Sequence, residues 1–207
     1  MNEVCRNPKW VPGSIGSALH IAAQKGYTEI VIKLIESGAN INQNKYGNGF
    51  TAIDIAAACG YTETVIALLD RGAKISTGYD SSYATVNEAA KSGNIETVIA
   101  LLNRGANITA ARSGINALHC AAAYGETNMC RFLITLGLNV NSLDRDGRTP
   151  LHFAAEDHHT DTAMVLIENG ANVSQKTLYG TSPIDLAKGN HRLLEEMRKH
   201  VSSCTVQ

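Results

Sequence analysis

A four-residue segment recurs six times along the chain, and no other feature limits its possible folds as strongly. The copies are Ser17-Ala-Leu-His20, Thr51-Ala-Ile-Asp54, Ala84-Thr-Val-Asn87, Asn116-Ala-Leu-His119, Thr149-Pro-Leu-His152 and Ser182-Pro-Ile-Asp185. Their last residues are 34, 33, 32, 33 and 33 positions apart. Two further markers keep the same phase. Glycine stands at 38, 72, 105, 137 and 170, followed by Ala or Leu, and again at 26, 60, 93 and 125, with His158 in the fifth such slot. Three markers on one period specify an array of equivalent supersecondary units, each burying its apolar face against its neighbours.

The composition of one unit defines its parts. A hydroxyl or amide at Ser17, Thr51, Asn116, Thr149 and Ser182 can cap the free N–H groups of a helix beginning one residue later. Pro150 and Pro183 then stand at the first helical position, where a missing N–H costs little. These first helices are predicted to be short and rich in small residues, as in Ala56-Ala57-Ala58 and Ala121-Ala122-Ala123. The second helices carry larger apolar groups, such as Val65, Ile66 and Leu69, and each stops at a glycine suited to a left-handed cap. Helices this short are marginal alone, below the ~12–15 residues needed in isolation, so stacking must supply the core. Small inner residues beside larger outer ones predict a curved stack with loop tips and inner helices on its concave face. In the sixth unit Gly189 comes two residues early, which implies a two-residue deletion. The shift places Leu193, Leu194 and Met197 in core slots and turns Glu195, Glu196, Arg198 and Lys199 to water, as a terminal repeat requires.

The segments Thr149-Pro-Leu-His-Phe-Ala-Ala155 and Gly38-Ala-Asn-Ile-Asn42 resemble the ankyrin repeat family, and the resemblance extends over about residues 14 to 201. It implies an all-α solenoid of stacked helix-turn-helix units with β-hairpin-like loops, used as a protein-binding module. The units are expected at 14–46, 47–79, 80–111, 112–144 and 145–177, with a shortened capping repeat at 178–201. Tails of 1–13 and 202–207 flank them. The first tail carries the only tryptophan, Trp10, expected to cover the first repeat. The third unit departs furthest from the pattern, with Ser82 before its tetrad and Ala84 at the capping position, so its finger from Tyr79 to Tyr83 is expected to be irregular. The resemblance also makes Asn42 and Asn141 possible substrates of an ankyrin-directed asparaginyl hydroxylase. The alternative is a loop amide that satisfies its hairpin, favoured because Asn40 and Asn139 stand where an acidic residue often does.

Bulk composition excludes several classes. The formal net charge is -1, from 18 basic and 19 acidic residues, which argues against the Lys/Arg surplus that phosphate binding demands. No apolar run reaches the ~18 residues of a membrane span, and the start lacks the apolar core of a secretory signal. The five cysteines are scattered and none forms a C-x-x-C pair; neither a disulfide framework nor a zinc ribbon follows. The expectation is a monomer of a reducing, cytoplasmic compartment that binds no nucleic acid and no membrane.

Catalytic readings are weak. His20, His119 and His152 share one repeat position with Asp54, Asn87 and Asp185, residues that can all hydrogen-bond but share no catalytic role. A metal could use His152 with Glu156, or the His158-His159 turn. Against this, the repeat explains His152, and His158 occupies a glycine slot where histidine tolerates a positive φ. No phosphate-binding loop, nucleophile elbow or H-E-x-x-H motif is present. No cofactor, metal or catalytic residue is assigned.

What stacking does not fix is the loop-tip and inner-helix surface. Of eleven aromatic residues, six map there: Tyr46, Phe50, Tyr79, Tyr83, Tyr124 and Tyr179. With Arg112, Ile115, Arg145 and Arg148 they form the predicted partner-binding set, tyrosine and arginine being enriched among interface hot spots. Phe50, Tyr83, Ile115 and Arg148 share one repeat position and are expected to form a row facing the partner. Two rival functions stay open: a nucleic-acid or small-ligand binder using stacked tyrosines, and a metal-dependent enzyme centred on the fifth and sixth repeats.

Overall fold

A computed structural model describes residues 17–44, 49–77 and 84–204, with side chains described through residue 200. Among these residues there are twelve α-helices and no strand longer than an isolated bridge. Each of the first five units contributes a pair. These are α1 (Ala18–Lys25) and α2 (Thr28–Glu36), α3 (Ala52–Ala58) and α4 (Thr62–Asp70), and α5 (Thr85–Lys91) and α6 (Ile95–Asn103). Then come α7 (Ala117–Ala123) and α8 (Thr127–Thr135), and α9 (Pro150–Glu156) and α10 (Thr160–Glu168). The sixth pair is α11 (Pro183–Leu186), extended by a 3-10 turn at Ala187–Gly189, and α12 (His191–Cys204). No helix among the described residues is long and apolar enough to cross a membrane.

The chain divides into two compact units, Met1–Arg112 and Ser113–Gln207. In the first, α3 packs between α1 and α5, and α4 packs between α2 and α6. In the second, α9 packs between α7 and α11, and α10 between α8 and α12. Each unit therefore has an inner layer of first helices and an outer layer of second helices. The small residues Ala22, Ala23, Ala56, Ala57, Ala89 and Ala90 are buried between the layers of the first unit. Leu118, Leu133, Leu151 and Leu166 fill the second.

The helix starts follow from capping chemistry. Thr51, Asn116, Thr149 and Ser182 each open a capping box with the residue three positions on. The Thr149 N–H donates to Nδ1 of His152 at 2.9 Å and the Thr51 N–H to Oδ2 of Asp54 at 2.9 Å. Ala84 has no side chain with which to cap. There Thr85 works across the stack instead: its hydroxyl accepts from the Ser76 N–H at 2.9 Å and donates to Asp54 Oδ1 at 2.6 Å. The second helices stop as expected, with Gly105 at φ 83° and its four counterparts also left-handed. His158 holds φ 59° in its glycine slot.

The terminal repeat fits the two-residue deletion, since α11 is four residues long where its counterparts have seven or eight. Leu193 and Met197 are fully buried, Leu194 and Glu196 are half-buried, and Glu195, Arg198 and Lys199 face water.

Candidate binding surface

The loops of the second unit are hairpins built to one plan. At 144–148 the Asp144 N–H donates to the Arg148 carbonyl (3.0 Å) and the Gly147 N–H to the Asp144 carbonyl (3.1 Å). At 177–181 the Thr177 N–H donates to the Thr181 carbonyl (2.9 Å) and the Gly180 N–H to the Thr177 carbonyl (3.0 Å). The first side chain of each loop braces it from within. Asp144 Oδ1 accepts from the N–H groups of Asp146 and Arg148, and Thr177 Oγ1 from those of Tyr179 and Thr181. These are three-residue hairpin loops closed by a left-handed glycine. The preceding loop turns at Ser113 and Gly114, both with positive φ, the pairing a two-residue hairpin turn requires.

Backbone bonds tie these fingers together. The Arg145 N–H donates to the Ser113 carbonyl at 2.9 Å, and the Leu178 N–H to the Asp146 carbonyl at 2.8 Å. Histidines anchor them from below. The Nε2 of His119 lies 3.3 Å from the Arg148 carbonyl, and that of His152 lies 3.3 Å from the Thr181 carbonyl. A carbonyl can only accept, so Nε2 carries the proton and Nδ1 is left to accept from the capping residue. His20 does the same in the first unit, between Ser17 Oγ (2.6 Å) and the Gln43 carbonyl (2.9 Å). The repeated histidines are thus finger supports, each buried. Burial holds the His119 imidazole down to about 4, against the pull of the Arg148 carbonyl. It also lowers His152.

This engagement removes His152 from any ligand set, and Glu156 is ion-paired with Arg148. A polar cleft of about 420 Å³ is lined by His158, His159, Asp161 and Arg192 among others. There the His159 ring donates to the Ala123 carbonyl at 3.2 Å. No three His, Cys, Asp or Glu side chains converge on a metal position among the described residues. Burial raises the Cys130 thiol to about 12, which leaves it unreactive.

The predicted contact residues separate into three groups. Tyr46, Tyr79 and Tyr83 lie outside the described residues, as do the third finger and Trp10. Phe50 and Arg112 in the first unit, and Ile115 and Tyr124 in the second, are half-buried. Arg145 and Tyr179 stand exposed on their fingers. Arg148 turns back on its own repeat: its guanidinium lies 4.0 Å from the Phe153 ring centroid and pairs with Glu156. His119 meets the same ring in a T-shaped arrangement, at 5.6 Å between centroids. Phe153 carries no marker in the repeat pattern, since its counterparts are Ile21, Ile55, Glu88, Cys120 and Leu186. Beside Tyr179, which is 81% exposed, Leu178 is 76% exposed, the two most open large apolar side chains described. Their place at the tip of a glycine-closed loop was the available signal for both.

In the first unit the inner surface carries a charged pair. Glu88 is buried on α5, with Lys91 Nζ 2.6 Å from its carboxylate. Burial pushes Glu88 up, with Lys91 pulling the other way, and it also raises Asp54.

The loop amides bridge neighbouring repeats. Asn42 Oδ1 accepts from the Lys74 N–H at 2.8 Å. Asn141 accepts from the Asn172 N–H at 2.8 Å and donates to the Gly170 carbonyl at 2.9 Å.

Compared with known proteins, residues 7–78 and 86–177 match a family model described as ankyrin repeats (3 copies). No curated protein matches the chain.

Proposed function

This chain belongs to the ankyrin repeat family, whose repeats are generally protein–protein interaction modules, and from that premise we propose that it binds a protein or peptide partner through its finger tips and the inner helices beneath them. The observation that carries this reading is the pair Leu178 and Tyr179, 76% and 81% exposed on a loop fixed by backbone hydrogen bonds. Large apolar groups held open on a rigid support suit a contact that loses little conformational freedom on binding. Tyrosine is also among the residues enriched in binding hot spots. Arg145 extends the same surface within the second unit, and Phe50 and Arg112 are the corresponding candidates in the first.

The family is typically non-enzymatic, and we assign no catalytic step, cofactor or metal to this protein. The proposed setting is the cytoplasm, supported by an odd number of cysteines and no C-x-x-C pair. A monomer that contacts neither nucleic acid nor membrane accords with the near-neutral charge.

The test is affinity capture followed by titration of the recovered partner against variants. Tyr179→Ala and Leu178→Ala are each expected to weaken binding about tenfold, or ~1.4 kcal/mol. Neither should move the denaturation midpoint, because both side chains are open to water. Tyr27→Ala, in the turn between α1 and α2, is expected to leave affinity unchanged. Full affinity in the double Leu178/Tyr179 variant overturns the assignment. Steeply salt-dependent binding to nucleic acid would favour the rival reading instead.

A further inference from the structure

One water-facing position of the outer helices is isoleucine throughout the first unit. Ile32 on α2, Ile66 on α4 and Ile99 on α6 occupy equivalent places in consecutive repeats. The residue before each, Val31, Val65 or Val98, is fully buried. Successive helical residues point about 100° apart, so the isoleucines turn away from the core. Ile66 and Ile99 are 38% and 41% exposed, and Ile32 is half-buried. The second unit treats the position differently. It holds Arg131, Met164 and Glu195 there, with Arg131 3.7 Å from Glu168 and Glu195 3.5 Å from Lys199. Because α4 packs between α2 and α6, the three isoleucines stand in one row. One turn earlier a second row runs beside it: Glu29, Glu63 and Glu96, all exposed and none ion-paired among the described residues. The helix dipole accounts for a carboxylate in the first turn. It does not account for an isoleucine open to water in consecutive repeats.

We propose that this outer face docks a basic amphipathic helix of a partner protein, lying across α2, α4 and α6. Its apolar side chains rest on the isoleucine row and its Lys or Arg side chains on the glutamate row. The spacing fits such an occupant. Packed helices sit about 8–10 Å apart, and a helix rises about 10.5 Å over seven residues. A crossing helix therefore brings the same side to each isoleucine once per heptad. Residues three apart, such as Glu63 and Ile66, are neighbours on a helix surface, so acid borders the apolar row at every step. Charge then selects the occupant. Glu36 and Asp70 add to the acid of the face. Of its cations, Arg104 is held by Asp70 at 2.6 Å and Arg71 donates to the Ala67 carbonyl at 3.2 Å, which leaves Lys33. Such a face is repelled by an anionic bilayer, whereas a lysine-rich helix meets opposite charge along the whole row. An apolar row rimmed by charged groups is also the pattern of a protein-binding surface.

The probes are two helical peptides about three heptads long, with leucine at the first and fourth places of each heptad. One carries lysine at the fifth and seventh places and the other carries glutamate. Titrated into the full chain, the lysine peptide is expected to bind about tenfold or more tighter than the glutamate peptide. It should shift the methyl NMR signals of Ile32, Ile66 and Ile99. Ile66→Asn combined with Ile99→Asn should weaken binding about tenfold, with an unchanged far-UV circular dichroism spectrum. Glu63→Gln combined with Glu96→Gln should weaken it as well and flatten its salt dependence. Tyr179→Ala, on a finger, should leave it unchanged, which separates this surface from the finger-tip one. Equal affinity for the two peptides overturns the proposal, as do methyl shifts confined to other isoleucines or full affinity in both double variants. A free chain of doubled mass in sedimentation, returned to single mass by the isoleucine variant, would give the face to a second copy and overturn it equally.

Discussion

Lowering the pH should weaken the second unit through one histidine. The His119 ring is fully buried; its Nδ1 accepts from the Asn116 N–H at 3.3 Å and its Nε2 donates to the Arg148 carbonyl. A second proton would bury a cation in the core, away from water and near the Arg148 guanidinium. Hence the imidazole is held down to about 4, from 6.5 when unfolded. The folded value lies below the unfolded one, so the stabilisation is complete above pH 6.5 and is lost as pH falls toward 4. Linkage between those two values gives a loss of about 2 kcal/mol between pH 7 and pH 5, and about 3 kcal/mol once both states are protonated. Burial lowers His152 as well, which adds to the loss. Asp54, Glu88 and Glu126 are shifted upward by burial and oppose it, since they are neutralised more readily in the folded state. The decisive quantity is therefore a difference between variants. His119→Asn installs the residue the third repeat already uses at this position, Asn87. Urea denaturation at pH 7 and pH 5 should show the native protein losing about 2 kcal/mol more than His119→Asn. Proton NMR of the ring should give a His119 midpoint near 4. An equal loss in both proteins, or a midpoint near 6.5, would refute the reasoning.

Three further substitutions separate sources of stability. Gly105 has φ 83° and, beyond its chain neighbours, nothing within 4 Å of where a Cβ would sit, so Gly105→Val should cost its left-handed conformation, at least about 1–2 kcal/mol; an unchanged midpoint would sink that claim. At Gly114 a Cβ would lie 2.7 Å from both the Leu143 carbonyl oxygen and Asp144 Cα. Gly114→Ala should therefore cost roughly 1–3 kcal/mol more than a left-handed residue alone, and equal losses at the two sites would contradict the close approach. Asn141→Ala removes both bonds to the next repeat and should destabilise by about 1–3 kcal/mol. Because those bonds hold the amide, incubation with an ankyrin-directed asparaginyl hydroxylase is expected to leave its mass unchanged, and addition of one oxygen would show that the loop opens.

What the sequence reveals here is whatever the period enforces. Thr51, Asn116 and Thr149 cap where the tetrads place them, and His158 adopts the glycine conformation its slot demands. Both are local consequences of a backbone copied several times. The fate of Arg148 is not local in this way. Its finger position suggested a partner contact, but Phe153 and Glu156, five and eight residues on, capture the guanidinium through a ring stack and an ion pair. No repeat-to-repeat comparison signals that, because no other unit pairs an arginine with an aromatic at those positions. The exposure of Ile21, Tyr27 and Ile30 is similarly hidden. Isoleucine and tyrosine look like ordinary core residues in the sequence, and only their exposure in the structure shows otherwise. Of the contact residues expected in the first unit, Tyr46, Tyr79 and Tyr83 fall outside the described segments.

The fingers of the second unit are joined through main-chain groups: the Arg145 N–H to the Ser113 carbonyl, and the Leu178 N–H to the Asp146 carbonyl. A ladder of that kind makes no demand on the side chains it carries. Positions 145, 146, 178 and 179 can therefore be rewritten as a combinatorial alphabet, while Gly114, Gly147 and Gly180 and the bracing Asp144 and Thr177 stay fixed. For an evolving lineage this separates the search for a new partner from the risk of unfolding. For a protein engineer it marks out a small library, displayed on a frame that need not be redesigned.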